Sequence, residues 1–580
     1  MMKEFKGISA SPGISIGKVF LYMEDNVKIP HYQIAGQDVK DELKRFNEAI
    51  EKAVNEIHEL KKQTSDQDEN QNQVLDSHIM MLNDPEFKKG IEKSLQEYQK
   101  NIEWIMAKEV EAIVEKLNSA DDTYLRERSA DIHDVSKRVL NHLMYRENIS
   151  LADLSEEYIL VTHNLLPSET VAMNKRMVKG IAMDAGGKTS HTAILARSFE
   201  IPAVLGLSDI SKHVSTGDSI ILDGYKGVVI IKPDDETRKR YQANLQEWQK
   251  REVSLLSLND LPAETTDGKL LSLKANIEVP EEIDSVKSHG ADGIGLYRSE
   301  FLFIQPGVFA SEEEQYQSYY KVLTEMKGKS VTIRTLDVGG DKVIPDMKEL
   351  DEKNPILGWR AVRFCLSRKD IFKRQLRALF RASVHGDLRI MFPMISGVEE
   401  LENVFAVVEE VKNNLAQENI PFDENTPIGI MIEVPSAAVT SDILAKRVQF
   451  FSIGTNDLIQ YTVAVDRGNE RVAYLYEPFH PGVLRLLRII IDNAHEQSIP
   501  VGMCGEMAGD ALASVILLGL GLDEYSMSAF RIPEIKTILR SVSIADAEEL
   551  VGTIMEMKSY KEIDRYVTEW MEGRFDVPIY

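Results

Sequence analysis

Two constellations of side chains are suited to chemistry. The first is Ala185-Gly186-Gly187-Lys188-Thr189-Ser190-His191-Thr192-Ala193-Ile194-Leu195-Ala196-Arg197, which follows a strand-like run and opens a helical one. Gly186 and Gly187 permit close backbone approach. Thr189 or Ser190 can cap the helix, which puts His191 in its first turn. The helix dipole there disfavours imidazolium, so the ring stays neutral and nucleophilic. The same backbone N–H groups favour a phosphate once attached. The pattern reads as a covalent phosphoryl acceptor; the plain alternative is a capping loop with an incidental histidine. Gly187-Lys188-Thr189 imitates the end of a Walker A loop, but Ala182 stands where that motif needs glycine, and the motif is excluded.

The second constellation emerges from the C-terminal half. Eight apolar runs there alternate with helical segments: Leu271–Asn276, Gly293–Tyr297, Val331–Leu336, Leu388–Phe392, Ile428–Ile432, Phe450–Ile453, Pro500–Cys504 and Glu524–Met527. That rhythm predicts a (β/α)8 barrel, whose functional groups cluster just past the C-terminal strand ends. Those positions hold Arg298, Arg334, Glu433, Asn456, Asp457, the nearby Arg467, and Cys504. Arginine forks match carboxylate or phosphate oxygens. Glu433 and Asp457 are hard ligands suited to Mg²⁺ or Mn²⁺. The implied ligand is a small anion carrying phosphate and carboxylate. Each residue alone reads as a surface ion pair or, for Cys504, a packed thiol; their coincidence at strand ends favours a site.

Other elements must position these groups. Val39, Leu43, Phe46, Ile50, Val54, Ile57 and Leu60 recur at helical spacing, and helical periodicity continues to about residue 145. Short strand-like runs precede residue 22, punctuated by Gly7, Gly13 and Gly17, and return between 157 and 233. The economical architecture is multidomain α/β. It has a domain of 1–21 plus 146–233, an inserted helical bundle at 22–145, a linker helix within 234–261 and a barrel at 262–580. The 580 residues carry 68 basic and 93 acidic side chains, a net charge of −25, which disfavours nucleic acid as a partner. Only Cys365 and Cys504 are present, so no disulfide framework is expected. The N-terminal residues lack an apolar signal core and no apolar run reaches membrane-spanning length, so a cytoplasmic protein without membrane insertion is expected.

With these motifs in place, the chain resembles the enzyme I family of the bacterial phosphoenolpyruvate-dependent sugar phosphotransferase system. The resemblance runs from Gly7-Ile8-Ser9-Ala10-Ser11-Pro12-Gly13 through the histidine motif to Asp292–Leu302, Arg334–Lys342, Phe451–Leu458 and Met503-Cys504-Gly505-Glu506. It implies a swivelling phosphohistidine domain and a TIM barrel. In that reading His191 is phosphorylated on Nε2, while Arg298, Arg334, Arg467, Asn456 and the Asp457 backbone hold phosphoenolpyruvate. Glu433 and Asp457 hold Mg²⁺, and Cys504 protonates the enolate to give pyruvate. The helical insert docks the phosphocarrier HPr, and the barrel forms a homodimer.

The resemblance also implies that the histidine domain alternates between the barrel and the insert, with the linker helix as hinge. Dikinase and synthase relatives need a nucleotide-binding domain before the histidine, which the helical block does not supply. A metal-dependent lyase would explain the barrel residues but not the histidine loop, and an acidic scaffold binding partners through its helices would form no phosphoenzyme with phosphoenolpyruvate. The nitrogen-related branch carries an added N-terminal sensory domain, so the sugar branch is expected.

Overall fold

Gly7 and Gly13 break the N-terminal apolar stretch into β1 (Lys3–Lys6), β2 (Ile8–Ser11) and β3 (Ile14–Tyr22). Gly13 is at φ +121°, and a Cβ there would lie 2.6 Å from Pro202. Gly17, expected as a third break, sits inside β3. In this computed structural model the described residues are 2–22, 30–63, 78–118, 132, 135–144, 151, 154, 156–165, 173–174, 176–187, 191–256, 258–303, 309–339, 354–467, 469 and 471–575. They form two units, Met1–Trp248 and Gln249–Tyr580.

In the first unit, β4 (Tyr158–Thr162), β5 (Val178–Met183), β6 (Ala203–Leu205), β7 (Ser219–Asp223) and β8 (Val228–Ile231) join the early strands. The sheet order is β1-β8-β7-β3-β4-β5-β6-β2. β3 runs parallel to β4, with Tyr22 opposite Thr162, and β4, β5 and β6 are mutually parallel. Alternation along the strands feeds two cores: Leu160, Ile181 and Met183 enter one, while Ile159, Val161 and Ala182 enter the other.

Between β3 and β4 the chain builds helices at Val39–Gln63, Pro85–Tyr98, Ile102–Asn118 and 135–143. They bury a separate core that includes Phe46, Ile50, Ile57, Ile91, Ile105 and Val139. The 3.6-residue spacing explains the face: Phe46, Ile50 and Ile57 point inward while Val39, Leu43 and Val54 pack at its margin.

A 22-residue helix, Asp235–Leu256, follows β8. Asp234 caps it, accepting the Thr237 N–H at 2.8 Å. Tyr241 is buried against Ile221, Val228 and Ile230, which fixes the first half of the helix to the sheet. The division between the two units falls within this helix.

In the second unit, β9 (Ala263–Glu264) pairs antiparallel with β10 (Leu270–Ile277). Then come β11 (Ile294–Arg298), β12 (Ser330–Arg334), β13 (Asp387–Phe392), β14 (Ile428–Ile432), β15 (Phe450–Ile453), β16 (Val501–Met503) and β17 (Glu524–Met527). Every neighbour in the series β10–β17 is parallel, and β17 pairs with β10, so the barrel closes with eight strands. Leu296, Met391, Met431, Phe450 and Cys504 pack together as one buried cluster. Gly429 makes room for it, since a Cβ there would lie 2.5 Å from the Phe450 ring. Among the described residues no helix is long and apolar enough to cross a membrane.

Candidate active site

Parallel closure brings every strand's C-terminal end to one mouth. Arg298 and Arg334 end adjacent strands in direct register. Arg298 Nη1 donates to Glu278 Oε1 at 2.5 Å, Glu278 standing just beyond β10. Arg334 is buried and pairs with Glu300, and with Asp337 at 3.1 Å.

Arg360 comes from the loop before the helix Val362–Ser367. Its Nη2 reaches Asp337 at 3.0 Å and Asp457 at 3.3 Å, and its Nη1 meets the Tyr461 hydroxyl at 3.2 Å. Glu300, Arg334, Asp337, Arg360 and Asp457 therefore form a row of alternating sign, buried except for the partly exposed Asp457. Burial lowers both guanidinium pKa values, but the flanking carboxylates outweigh it and hold them above the ordinary arginine range. Such charges persist in a core only because each has partners.

Glu433 follows β14 and is buried; its Oε1 accepts the Met394 N–H at 2.7 Å. Met394 adopts φ +58°, a left-handed conformation rare for its type, which turns that N–H toward the carboxylate. Desolvation, then the negative charges of Asp457 and Asp337, push the Glu433 carboxyl up to about 8. A Cβ on Gly454 would lie 2.8 Å from Glu433 Oε2, so glycine there leaves room for the carboxylate.

The helix Thr455–Val463 begins directly after β15 and carries Asn456 and Asp457 in its first turn. Asn456 Oδ1 accepts the Glu506 N–H at 3.1 Å. Arg467 is exposed; its backbone N–H donates to Gln460 Oε1 at 3.1 Å, and its side chain hydrogen-bonds Tyr476. The Tyr476 hydroxyl donates to the Asn456 carbonyl at 3.3 Å, so Arg467 joins the same mouth.

Cys504 follows β16, is buried, and accepts the Ser452 hydroxyl on Sγ at 3.3 Å. Burial pushes its thiol up, against the lowering influence of Ser452 and Arg334. The two opposing pulls expected on a thiol beside arginines resolve toward the protonated form.

A divalent cation fits this chemistry. Glu433 and Asp457 are oxygen donors, and the repulsion that raises the Glu433 carboxyl is what a cation relieves. Among the described residues no group of three or more His, Cys, Asp or Glu side chains is arranged to hold a metal. Hard divalent cations are commonly held by one or two protein carboxylates, with other oxygens completing the shell.

The barrel residues named from strand ends thus lie together. Arg360, Asp337, Glu300 and Glu278 were not singled out. Asp337 and Glu300 stand beside arginines in the quoted motifs. Arg360 follows no strand and carries no positional signal.

In the first unit, Asp184 leaves β5 and accepts the Ser211 N–H at 3.1 Å and the Ser211 hydroxyl at 2.5 Å. Gly186 follows at φ +101°, a backbone state that favours glycine. The helix His191–Ser198 has His191 as its first residue. The expected cap at Thr189 or Ser190 lies outside the described residues, as does the His191 ring.

The chain matches three family models described as PEP-utilising enzyme: the N-terminal domain over residues 6–128, the mobile domain over 154–227 and the PEP-binding domain over 253–544. It is 42% identical over 98% of its length to a phosphoenolpyruvate-protein phosphotransferase of Priestia megaterium, covering 99% of that protein. One from Listeria innocua is 42% identical over 98% of this chain and 100% of its own. An NMR solution structure of Enzyme I, 36% identical, covers 42% of this chain and 99% of its own with a TM-score of 0.37.

Proposed function

The chain belongs to the phosphoenolpyruvate-protein phosphotransferases of the PEP-utilising enzyme family, and from that premise we propose that it takes the phosphoryl group of phosphoenolpyruvate onto His191 and passes it to the phosphocarrier HPr. Pyruvate is released, and the transfer is the first step of sugar uptake by the phosphotransferase system. The observation that supports this reading best is the presence in one chain of a histidine opening a helix behind a left-handed glycine and a barrel mouth lined by arginines and carboxylates.

Phosphoryl transfer needs positioning and charge neutralisation more than covalent help. Arg298, Arg334 and Arg467 grip the phosphate and carboxylate, aided by Asn456 and the Asp457 backbone. Mg²⁺ held by Glu433 and Asp457 would supply further neutralisation of the phosphoryl oxygens. His191 Nε2 attacks phosphorus in line as the bond to the enolate oxygen breaks. Cys504, protonated at neutral pH, gives its proton to the enolate carbon, and a methyl group forms. His191 belongs to the first unit and the arginines to the second, so the imidazole must visit the barrel to load and leave it to deliver.

The helical insert is the proposed HPr-docking element, its core being independent of the sheet that carries His191. Homodimerisation through the barrel is supported by apolar side chains on adjoining helices: Val439 is 60% exposed, Ile443 46% and Ile489 39%. A cytoplasmic location accords with this chemistry, which draws on a soluble metabolite and a soluble carrier.

Incubating the protein with labelled phosphoenolpyruvate and Mg²⁺ tests the proposal. An acid-labile, base-stable adduct at His191 that is discharged by HPr is expected. An unlabelled histidine would overturn it.

A further inference from the structure

Arg298 differs from the enclosed arginines of the barrel mouth in what it faces. Arg334 and Arg360 are enclosed, at 5% and 3% exposure, and their carboxylate partners belong to a continuous row. Arg298 keeps 33% of its side chain exposed at the mouth, and its Nη1 is bound by one carboxylate, Glu278, itself 15% exposed. Glu278 is held there. The Glu282 carboxylate accepts the backbone N–H of Glu278 at 2.6 Å and of Val279 at 3.0 Å, which fastens the turn after β10. A carboxylate on a fastened turn therefore sits on a guanidinium that a phosphate is proposed to use.

We propose that Glu278 is a specificity-determining residue of the barrel: an internal anion that occupies Arg298 and competes with the phosphate of phosphoenolpyruvate for it. The inference rests on the proposed role of Arg298 in substrate binding. Two anions cannot share one N–H fork without repulsion, so substrate binding must displace the Glu278 oxygen or accept its charge nearby. Both weaken anion affinity. A weakly charged ligand loses less than a multiply charged one, so the carboxylate also narrows the advantage of phosphoenolpyruvate over pyruvate and lets the product side of the site compete.

The test compares the full-length protein with Glu278→Gln, which keeps an oxygen for Arg298 but removes the charge, and with Glu278→Ala, which removes both. His191 phosphorylation by phosphoenolpyruvate with Mg²⁺ is followed over substrate concentration, and phosphoenolpyruvate binding is read by calorimetry. Glu278→Gln is expected to lower KM and Kd for phosphoenolpyruvate roughly fivefold, with kcat changed less than about twofold, the mark of ground-state binding shared by the transition state. Glu278→Ala is expected to move KM in the same direction. Unchanged or raised KM and Kd in Glu278→Gln, with the parent protein active, would overturn this role and make Glu278 an ordinary brace for Arg298. A parent protein that forms no phosphohistidine would instead overturn the function on which the inference rests.

Discussion

The Ser452 hydroxyl meets the Sγ of Cys504 at 3.3 Å, one side chain on β15 and the other just past β16. The contact stabilises any thiolate that forms, while burial opposes its formation. Because burial dominates, the thiol titrates above its ordinary value. Alkylation by iodoacetamide, which requires thiolate, is therefore expected to stay slow through neutral pH and to rise only above the range in which an ordinary thiol titrates. Labelling that is complete at pH 6 would contradict the assignment. Cys504→Ser should slow turnover more than it weakens phosphoenolpyruvate binding, measured by kcat against Kd.

His191→Ala is expected to abolish the phosphoenzyme while phosphoenolpyruvate still binds, because the proposed substrate-binding groups belong to the barrel unit. Calorimetry on the variant decides this: loss of binding would place the imidazole among the binding groups.

The Glu433 carboxyl, raised to about 8, predicts a pH-dependent response. Its folded value lies above the unfolded one, so the stability linked to its proton is complete below the ordinary carboxylate range and is lost as pH rises toward about 8. Metal-free protein should melt at lower temperature at pH 8.5 than at pH 6, and Mg²⁺ should offset that loss. Apparent Mg²⁺ affinity should fall as pH drops below about 8, by up to about tenfold per unit, as the proton competes with the cation. A metal affinity flat between pH 6 and 8 would count against Glu433 as a ligand.

Arg360→Met removes the link between Asp337 and Asp457. Asp337 keeps Arg334 while Asp457 loses its guanidinium, which should cost up to about 3–5 kcal/mol. Denaturant unfolding of the barrel measures it, and phosphohistidine formation should fall with it.

Gly505→Ala places a Cβ 1.8 Å from Thr455 Oγ1 and 2.8 Å from the Thr455 backbone nitrogen. The strand end carrying Cys504 must then shift, at about 1–3 kcal/mol. Turnover should drop more than substrate affinity, since the displaced group is the thiol.

The barrel was legible in the regular alternation of short strand-like runs with helical segments. β14, β15 and β17 match the expected runs residue for residue. β12 ends at Arg334 rather than Leu336, because the Leu336 N–H turns to the Gln375 side-chain oxygen at 2.9 Å and leaves the ladder. A tertiary partner 39 residues away leaves no trace in local pattern. The same reason hid Arg360 and Glu278. Reading strand ends finds groups that the barrel delivers directly; Arg360 arrives from a loop, and Glu278 matters only through the register of β10 and β11.

β3 and β4 are parallel neighbours, yet the chain between them is a whole block of helices. Parallel strands cannot be joined by a tight turn and need a crossover of about a dozen residues or more. The block therefore leaves at one end of these strands, and the chain must re-enter the sheet at the opposite end. Anyone wishing to splice it out, to ask whether self-phosphorylation survives without carrier delivery, has to install a short helical bridge in its place rather than suture the two cut ends.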